Sequence, residues 1–415
     1  MDIIRNISND QLSELVPLSD EELNITSAEL QRNDPISRYI NQVLLEAIQK
    51  RSSDIHFEPY EHKYRIRLRC DGVLVEIDSP PSQLANRLSS RIKVMANLDI
   101  AEKRLPQDGR IKHTLTSKQS VDIRVSTLPT LWGEKIVLRL LKTQSVPLDI
   151  TALGLSQTQL DLYVSAISKP QGLILITGPT GSGKTISLYT ALTYLNTPEK
   201  NISTAEDPIE INLLGINQVQ MNDKIDLNFT STLRALLRQD PDIIMVGEIR
   251  DIESAEIVIK AAQTGHLVLS TLHTNSASEA VTRLLNMGVD KFSLASCLSL
   301  VVAQRLTRAL CPVCKEFDLE TSSNRKLNPR GSLQIYKANP HGCSDCLNGY
   351  SGLIGIFELL NIDKTLMRTI ERQNSASKIN DIALENGFIP LSESGKNKLI
   401  EGITSIKELQ RTLVF

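Results

Sequence analysis

The sequence predicts an α/β protein of more than one domain: a mixed α+β first part with antiparallel strands, then a part built from βαβ crossovers around a mainly parallel sheet. Three observations carry this. Tyr64-Arg-Ile-Arg-Leu-Arg-Cys70 alternates strictly, turns at Asp71-Gly72 and continues through Val73, Val75 and Ile77, the pattern of a β-hairpin. From residue 156 onward, helical segments alternate with short apolar strands at 173–177, 202–204, 243–246 and 267–271, which implies parallel crossovers. The first of these strands runs directly into Gly178-Pro179-Thr180-Gly181-Ser182-Gly183-Lys184-Thr185, a phosphate-binding loop that opens a helix at about Lys184.

The elements follow in order. Residues 1–34 are polar and acidic, with Ser-Asp-Glu-Glu at 19–22, and read as a mobile arm or a short helical lead-in. Ile36, Tyr39, Ile40, Val43, Leu44, Ala47 and Ile48 recur at helical spacing, so 36–50 is an amphipathic helix. A helix at about 83–97 and alternating strands at 121–125 and 134–141 complete a first domain over 35–145. Pro147 marks a linker over 146–155. The second domain spans 156–415, with a cysteine-bearing insertion at 308–352 and a helical C-terminal region at 360–415.

At 415 residues, two or three domains are expected, each able to bury its own core. Forty-six basic against 48 acidic side chains give no electrostatic argument for nucleic acid, and none is expected as a partner. No segment approaches the roughly 20 apolar residues of a membrane helix. The 292–303 stretch comes nearest and is too short. The expected location is cytoplasmic, reaching the inner face of a membrane through partners rather than by direct insertion.

Of six cysteines, four form two knuckles, Cys311-Pro-Val-Cys314 and Cys343-Ser-Asp-Cys346, 28 residues apart. Two C-x-x-C turns complete a tetrahedron of thiolates and point to a structural Zn²⁺ site with no open position. The alternatives are two disulfides or four free thiols, and a reducing compartment argues against the first. Cys70 and Cys297 stand alone as small core residues.

In the phosphate loop, the glycines let backbone N–H groups converge on a polyphosphate, Lys184 reaches its terminal phosphates and Thr185 offers a hydroxyl to Mg²⁺. Hydrolysis further needs acids. Asp242-Ile-Ile-Met-Val-Gly-Glu248 delivers Glu248 to the carboxyl edge of the sheet, where ligands bind in such folds. Thr204-Ala-Glu206-Asp207-Pro-Ile-Glu210 places three acids just past another strand. Surface charge is the ordinary reading of any one of them. His266 and His273 bracket the strand 267–271; either they are structural, or the pair senses the terminal phosphate. Arg124 and Arg139 alternate with apolar neighbours and so face away from the first domain's core. They are solvated there, or they reach a nucleotide held by the other domain.

Taken together, Arg51-Ser-Ser-Asp-Ile-His-Phe-Glu58, Pro106-Gln-Asp-Gly-Arg110, the phosphate loop, Glu206-Asp207, Gly247-Glu248, the histidine box at 264–274 and the paired C-x-x-C motifs resemble, in family order, the ATPases of type IV pilus assembly and type II secretion. The resemblance runs from about residue 36 to about residue 360. Asn201-Ile-Ser-Thr-Ala-Glu-Asp-Pro-Ile-Glu-Ile-Asn212 and Ser53-Asp-Ile-His-Phe-Glu-Pro-Tyr60 look most like the pilus-extension members.

The resemblance implies a RecA-like phosphate-loop ATPase domain, an N-terminal PAS-like α+β domain and a Cys₄ zinc-binding insertion. It also implies a homohexameric ring with ATP in the cleft between the two domains, driving an inner-membrane platform protein. By family pattern, Glu206 activates water, Glu248 is the Walker B acid at magnesium, Arg124 and Arg139 approach the phosphates, and His266 and His273 form the histidine box. One departure is that members usually carry a longer docking region before the Arg51 motif, where about 35 residues precede the first matching helix here. Two other classes share the loop, a hexameric nucleic-acid motor and a non-hydrolysing nucleotide-binding scaffold. The missing basic excess disfavours the first, and Lys184, Thr185, Glu206 and Glu248 together disfavour the second.

Overall fold

The computed structural model describes residues 34–116, 119–141, 148–322, 334–372 and 375–413. Most of the expected N-terminal arm, Pro147 and part of the cysteine insertion therefore lie outside the described residues. The chain divides after Ser145 into two compact units.

In the first unit, Asp34 caps helix α1 (Pro35–Gln49) by accepting the Ser37 N–H, with proline at the first helical position. Strands β1 (Asp54–Pro59), β2 (Tyr64–Cys70) and β3 (Val73–Asp78) precede helix α2 (Ala85–Met95). Strands β4 (Gln107–Thr116), β5 (Gln119–Thr130) and β6 (Gly133–Leu141) follow it. All pair antiparallel in the order β3-β2-β1-β6-β5-β4.

The period of two divides this sheet's faces. Ile55, Phe57, Ile66, Leu68, Ile123, Ile136 and Leu138 are buried in the unit's core. The opposite face carries a cross-strand row in which Asp54 pairs with Arg69 and Arg139, Arg139 with Arg124, and Arg124 with Arg110. Strands β1 and β4 were not read from the sequence. Asp54, His56 and Glu58 are buried as well as the apolar residues between them, which hides the alternation.

In the second unit, helix α3 (Gln157–Ile167) starts in a capping box of Ser156 and Gln159. Then come β7 (Gly172–Thr177), α4 (Lys184–Leu195), β8 (Ile202–Glu206), β9 (Asn217–Gln220), α5 (Phe229–Leu236) and β10 (Ile243–Val246). Next are α6 (Ile252–Gln263), β11 (Leu267–Leu272), α7 (Ala277–Asn286), α8 (Lys291–Cys297) and β12 (Leu298–Leu310). The insertion holds the short β13 (Glu316–Phe317), α9 (Leu319–Ser322) and β14 (Tyr336–Lys337) and ends at β15 (Tyr350–Asn361). Helices α10 (Lys364–Glu371), α11 (Ala376–Glu385), α12 (Leu391–Ile400) and α13 (Ile406–Thr412) close the chain.

The sheet order is β15-β12-β7-β11-β10-β8-β9. Every pair is parallel except β12 with β15. Along β7, Leu173 and Leu175 enter one core cluster while Ile174 and Ile176 enter the other. Burial on both faces is why this strand reads as an unbroken apolar run. The apolar stretch 292–303 splits between α8 and β12 with no turn residue between them, so periodicity alone could not separate the two.

No helix among the described residues is long and apolar enough to cross a membrane.

Candidate functional site

The loop Gly178–Gly183 joins the carboxyl end of β7 to the first turn of α4. Gly183, the N-cap residue, has φ 87° and gives no side-chain cap. By contrast Ser156, Asn228, Asp251, Ser276, Asp363 and Ser375 cap their helices with side-chain oxygens. The first N–H groups of α4 thus remain available to an anion, at the positive end of the helix dipole. Lys184 is buried, and its ammonium donates to the carbonyl oxygens of Gly178 (2.8 Å) and Pro179 (3.1 Å). Burial lowers its pKa from the ordinary lysine value; Glu248 opposes that shift and Arg305 adds to it. Among the described residues Ser182 Oγ is buried without a hydrogen-bond partner, which suits a loop built to close around a ligand. Residues and backbone here fit a nucleotide polyphosphate.

Glu206, the last residue of β8, is 3% exposed. Its carboxylate accepts from Tyr189 Oη, from Thr204 Oγ1 at 2.6 Å and from Gln218 Nε2 at 3.0 Å. Asp207, its neighbour, is exposed and pairs instead with Arg250 at 3.1 Å. The two acids therefore do not act as one group.

Glu248 follows β10 and is held from both sides, by Arg250 Nε at one oxygen and by His273 Nε2 at the other (3.1 Å). Hydrogen bonding to Glu248 raises the Arg250 pKa, with a further contribution from Asp207. Thr177, at the end of β7, receives the Thr274 N–H at 2.9 Å. That bond ties the histidine box to the start of the phosphate loop. Loop, Glu248 and His273 thus share the carboxyl edge of the sheet.

His266 does not join them. It precedes β11, where Gly172 N donates to its carbonyl, and its Nδ1 meets the Ala261 carbonyl at 2.9 Å. A strand of six residues separates it from His273, so the two rings stand about 20 Å apart along the sheet at roughly 3.3 Å per residue. Bracketing a strand in sequence put them at opposite edges in space. Of the two, only His273 lies at the edge that carries the loop and Glu248.

In the first unit, Arg139 Nε donates to Asp54 Oδ1 at 2.9 Å, leaving a mostly exposed side chain. Arg110, Arg124 and Arg139 line an open depression of about 450 Å³ with Asp108, Ser126 and Val137. Sequence reasoning missed Tyr189, Thr204, Gln218, Arg250 and Asp54. The available signals were local: Tyr189 lies four residues after Thr185, and Arg250 two after Glu248.

All four knuckle cysteines come together, their sulfurs within 4.8 Å of one another. The sulfur–sulfur separations are 3.7 Å for Cys311–Cys343, 3.5 Å for Cys314–Cys346 and 3.6 Å for Cys343–Cys346. A tetrahedron with metal–sulfur bonds of about 2.3 Å has edges of about 3.8 Å, so the set suits a four-coordinate metal ion. The spacing is far beyond the roughly 2.05 Å of a disulfide, and the cysteines are unbridged.

A parallel sheet with a glycine-rich loop leading into a helix, and acids at the same edge, defines a phosphate-loop nucleotide-binding protein with a RecA-like core. The chain belongs to the type II/IV secretion system protein family, whose model matches residues 29–411. It is 54% identical over 382 residues to the type IV pilus assembly ATPase PilB of Pseudomonas aeruginosa, covering 91% of this chain and 67% of that one. The Acinetobacter baylyi PilB is 54% identical over 384 residues, covering 91% and 66%. The type II secretion system protein E of Pseudomonas aeruginosa is 49% identical over 381 residues, covering 91% and 75%. The chain thus spans about two thirds of the length of these pilus-assembly relatives. Among solved structures, the Legionella pneumophila ATPase DotB shares the fold at TM-score 0.67 and 21% identity, covering 90% of this chain and 95% of that one. The pilus retraction motor PilT with bound ADP aligns at TM-score 0.59 and 22% identity, covering 90% and 96%.

Proposed function

We propose that this chain is an ATP hydrolase that powers pilin polymerisation in type IV pilus assembly. It would work as a homohexamer on the cytoplasmic side of the inner membrane, against a platform protein in that membrane. The observation that carries the chemistry is the uncapped α4 N-terminus beneath a buried Lys184, with Glu206 and Glu248 on the neighbouring strand ends. The loop 178–185 holds the phosphates. Glu206 takes the proton of the water that attacks the γ-phosphorus, the bond to the β–γ bridging oxygen breaks, and ADP leaves with phosphate. His273 orients Glu248, while Arg124 and Arg139 lend guanidinium charge to the transferring group. Mg²⁺, held by Thr185 and Glu248, would neutralise phosphate charge; Zn²⁺ on Cys311, Cys314, Cys343 and Cys346 would fold the insertion.

The pilus reading rests on the 54% identity to PilB proteins. Export through a type II secretion system is the second reading, supported by the 49% identity to a secretion protein E. Deleting the gene and scoring surface pili and secreted enzymes separates the two: loss of pili with normal secretion is expected, and the reverse overturns the choice. A steady-state ATPase titration on dilution tests the ring, since a composite hexamer loses specific activity as it dissociates.

A further inference from the structure

Glu206, 3% exposed at a strand end, has its carboxylate held in one orientation by hydrogen-bond donors. Its three donors come from three elements: Thr204 from its own strand, Gln218 from edge strand β9, and Tyr189 from α4. Tyr189 is the informative one. Its ring is fully buried in the core cluster that also holds Leu188, Leu192 and Ile202, so packing fixes where the hydroxyl sits.

That hydroxyl also receives the Glu210 N–H at 3.2 Å. An oxygen that accepts on one side directs its proton to the other, and the acceptor there is Glu206 Oε2. Tyr189 lies one helical turn beyond Thr185, on the same face of α4. The helix whose N-terminus cradles phosphate therefore also holds the acid at the neighbouring strand end.

We propose that Tyr189 is a positioning residue for Glu206, with Gln218 as its second support, fixing the carboxylate relative to the phosphate loop through the rigid body of α4. The inference rests on the reading of Glu206 as the group that receives the water's proton. Removing the phenol hydroxyl leaves the α4 N-terminus, Lys184 and Thr185 untouched. The loss then falls on the chemical step and not on nucleotide capture.

The test uses the full chain with Tyr189→Phe, which keeps the ring, and Gln218→Met as an independent variant at a half-buried site. Steady-state turnover, KM, binding of a fluorescent ADP analogue and thermal midpoint are measured beside Glu206→Gln. Tyr189→Phe is expected to lower kcat about 10- to 100-fold, with KM, nucleotide affinity and midpoint unchanged. Gln218→Met is expected to show the same split to a smaller degree. Wild-type kcat in Tyr189→Phe beside an inactive Glu206→Gln would overturn the positioning role alone. So would a parallel loss of affinity and midpoint in both variants, which marks a packing role. Turnover retained in Glu206→Gln would instead remove the underlying reading, and the inference with it.

Discussion

At the residue scale, the phosphate loop depends on backbone that only glycine adopts cheaply. Gly183 has φ 87°, and a Cβ there would lie 2.8 Å from Gln304 Nε2. Gly183→Ala is therefore expected to cost about 1–2 kcal/mol for the left-handed conformation alone. The loop would relax out of its cradle, and a nucleotide would have to restore the strained form. Affinity should fall about tenfold for each 1.4 kcal/mol so recovered. Thermal denaturation with and without ADP checks both parts; unchanged ADP affinity would mean the loop has another route to its bound form. Glycine spacing made this site readable, since a phosphate loop is a local pattern. The supports of Glu206 were not readable, because Tyr189 and Gln218 lie 17 and 12 residues away in the chain and meet it only once the parallel sheet is assembled.

At the element scale, the C-terminal helix α13 is fastened to β12 by one buried carboxylate. Glu408 is 1% exposed and accepts from Arg308 and from Arg411, the latter at 2.8 Å. Burial alone would raise its pKa, but hydrogen bonds from Arg308 and Arg411 override it and push the value down to about 2 from an ordinary 4.5. A carboxylate depressed in the folded state contributes stability that is complete above pH 4.5 and is lost as pH falls through about 2.

Glu408→Gln is expected to cost about 3–5 kcal/mol at neutral pH, as removing one member of a buried pair does. It should also flatten the pH dependence between those two values relative to the unaltered chain. Denaturant midpoints across that range measure the difference, and parallel curves would assign the depression elsewhere. This clamp was hidden in the sequence because β12 itself was hidden. Its apolar start continues α8 without a Gly or Pro boundary, whereas strands β8, β10 and β11 announced themselves between helical segments.

At the scale of the whole molecule, the proposed chemistry is divided between the two units. Cradle, carboxylates and His273 all belong to the unit that begins at Val146, and Arg124 and Arg139 to the other. If nucleotide capture needs only the first set, Arg124→Gln and Arg139→Gln should each bind ADP as the unaltered chain does. Turnover should nevertheless fall about 10³-fold or more, the usual weight of an arginine at a transferring phosphoryl group. Thermal midpoints are followed beside turnover for Arg139, because its side chain is 63% exposed but its ion-pair partner Asp54 has a side chain only 8% exposed, and depriving a buried carboxylate of a donor costs about 1–3 kcal/mol of stability whatever happens to turnover.

Asp54 provides an internal check. Asp54→Asn should lower turnover in the unaltered background but add little to Arg139→Gln, because the guanidinium through which it acts on turnover is then already gone, while its pair with Arg69 at 3.8 Å is present in both backgrounds. Additive losses in the double variant would show Asp54 acting on its own account. Full activity in both arginine variants would leave the cationic row of the first sheet as a solvated face, and ATP hydrolysis would then be the work of the second unit and its neighbours alone.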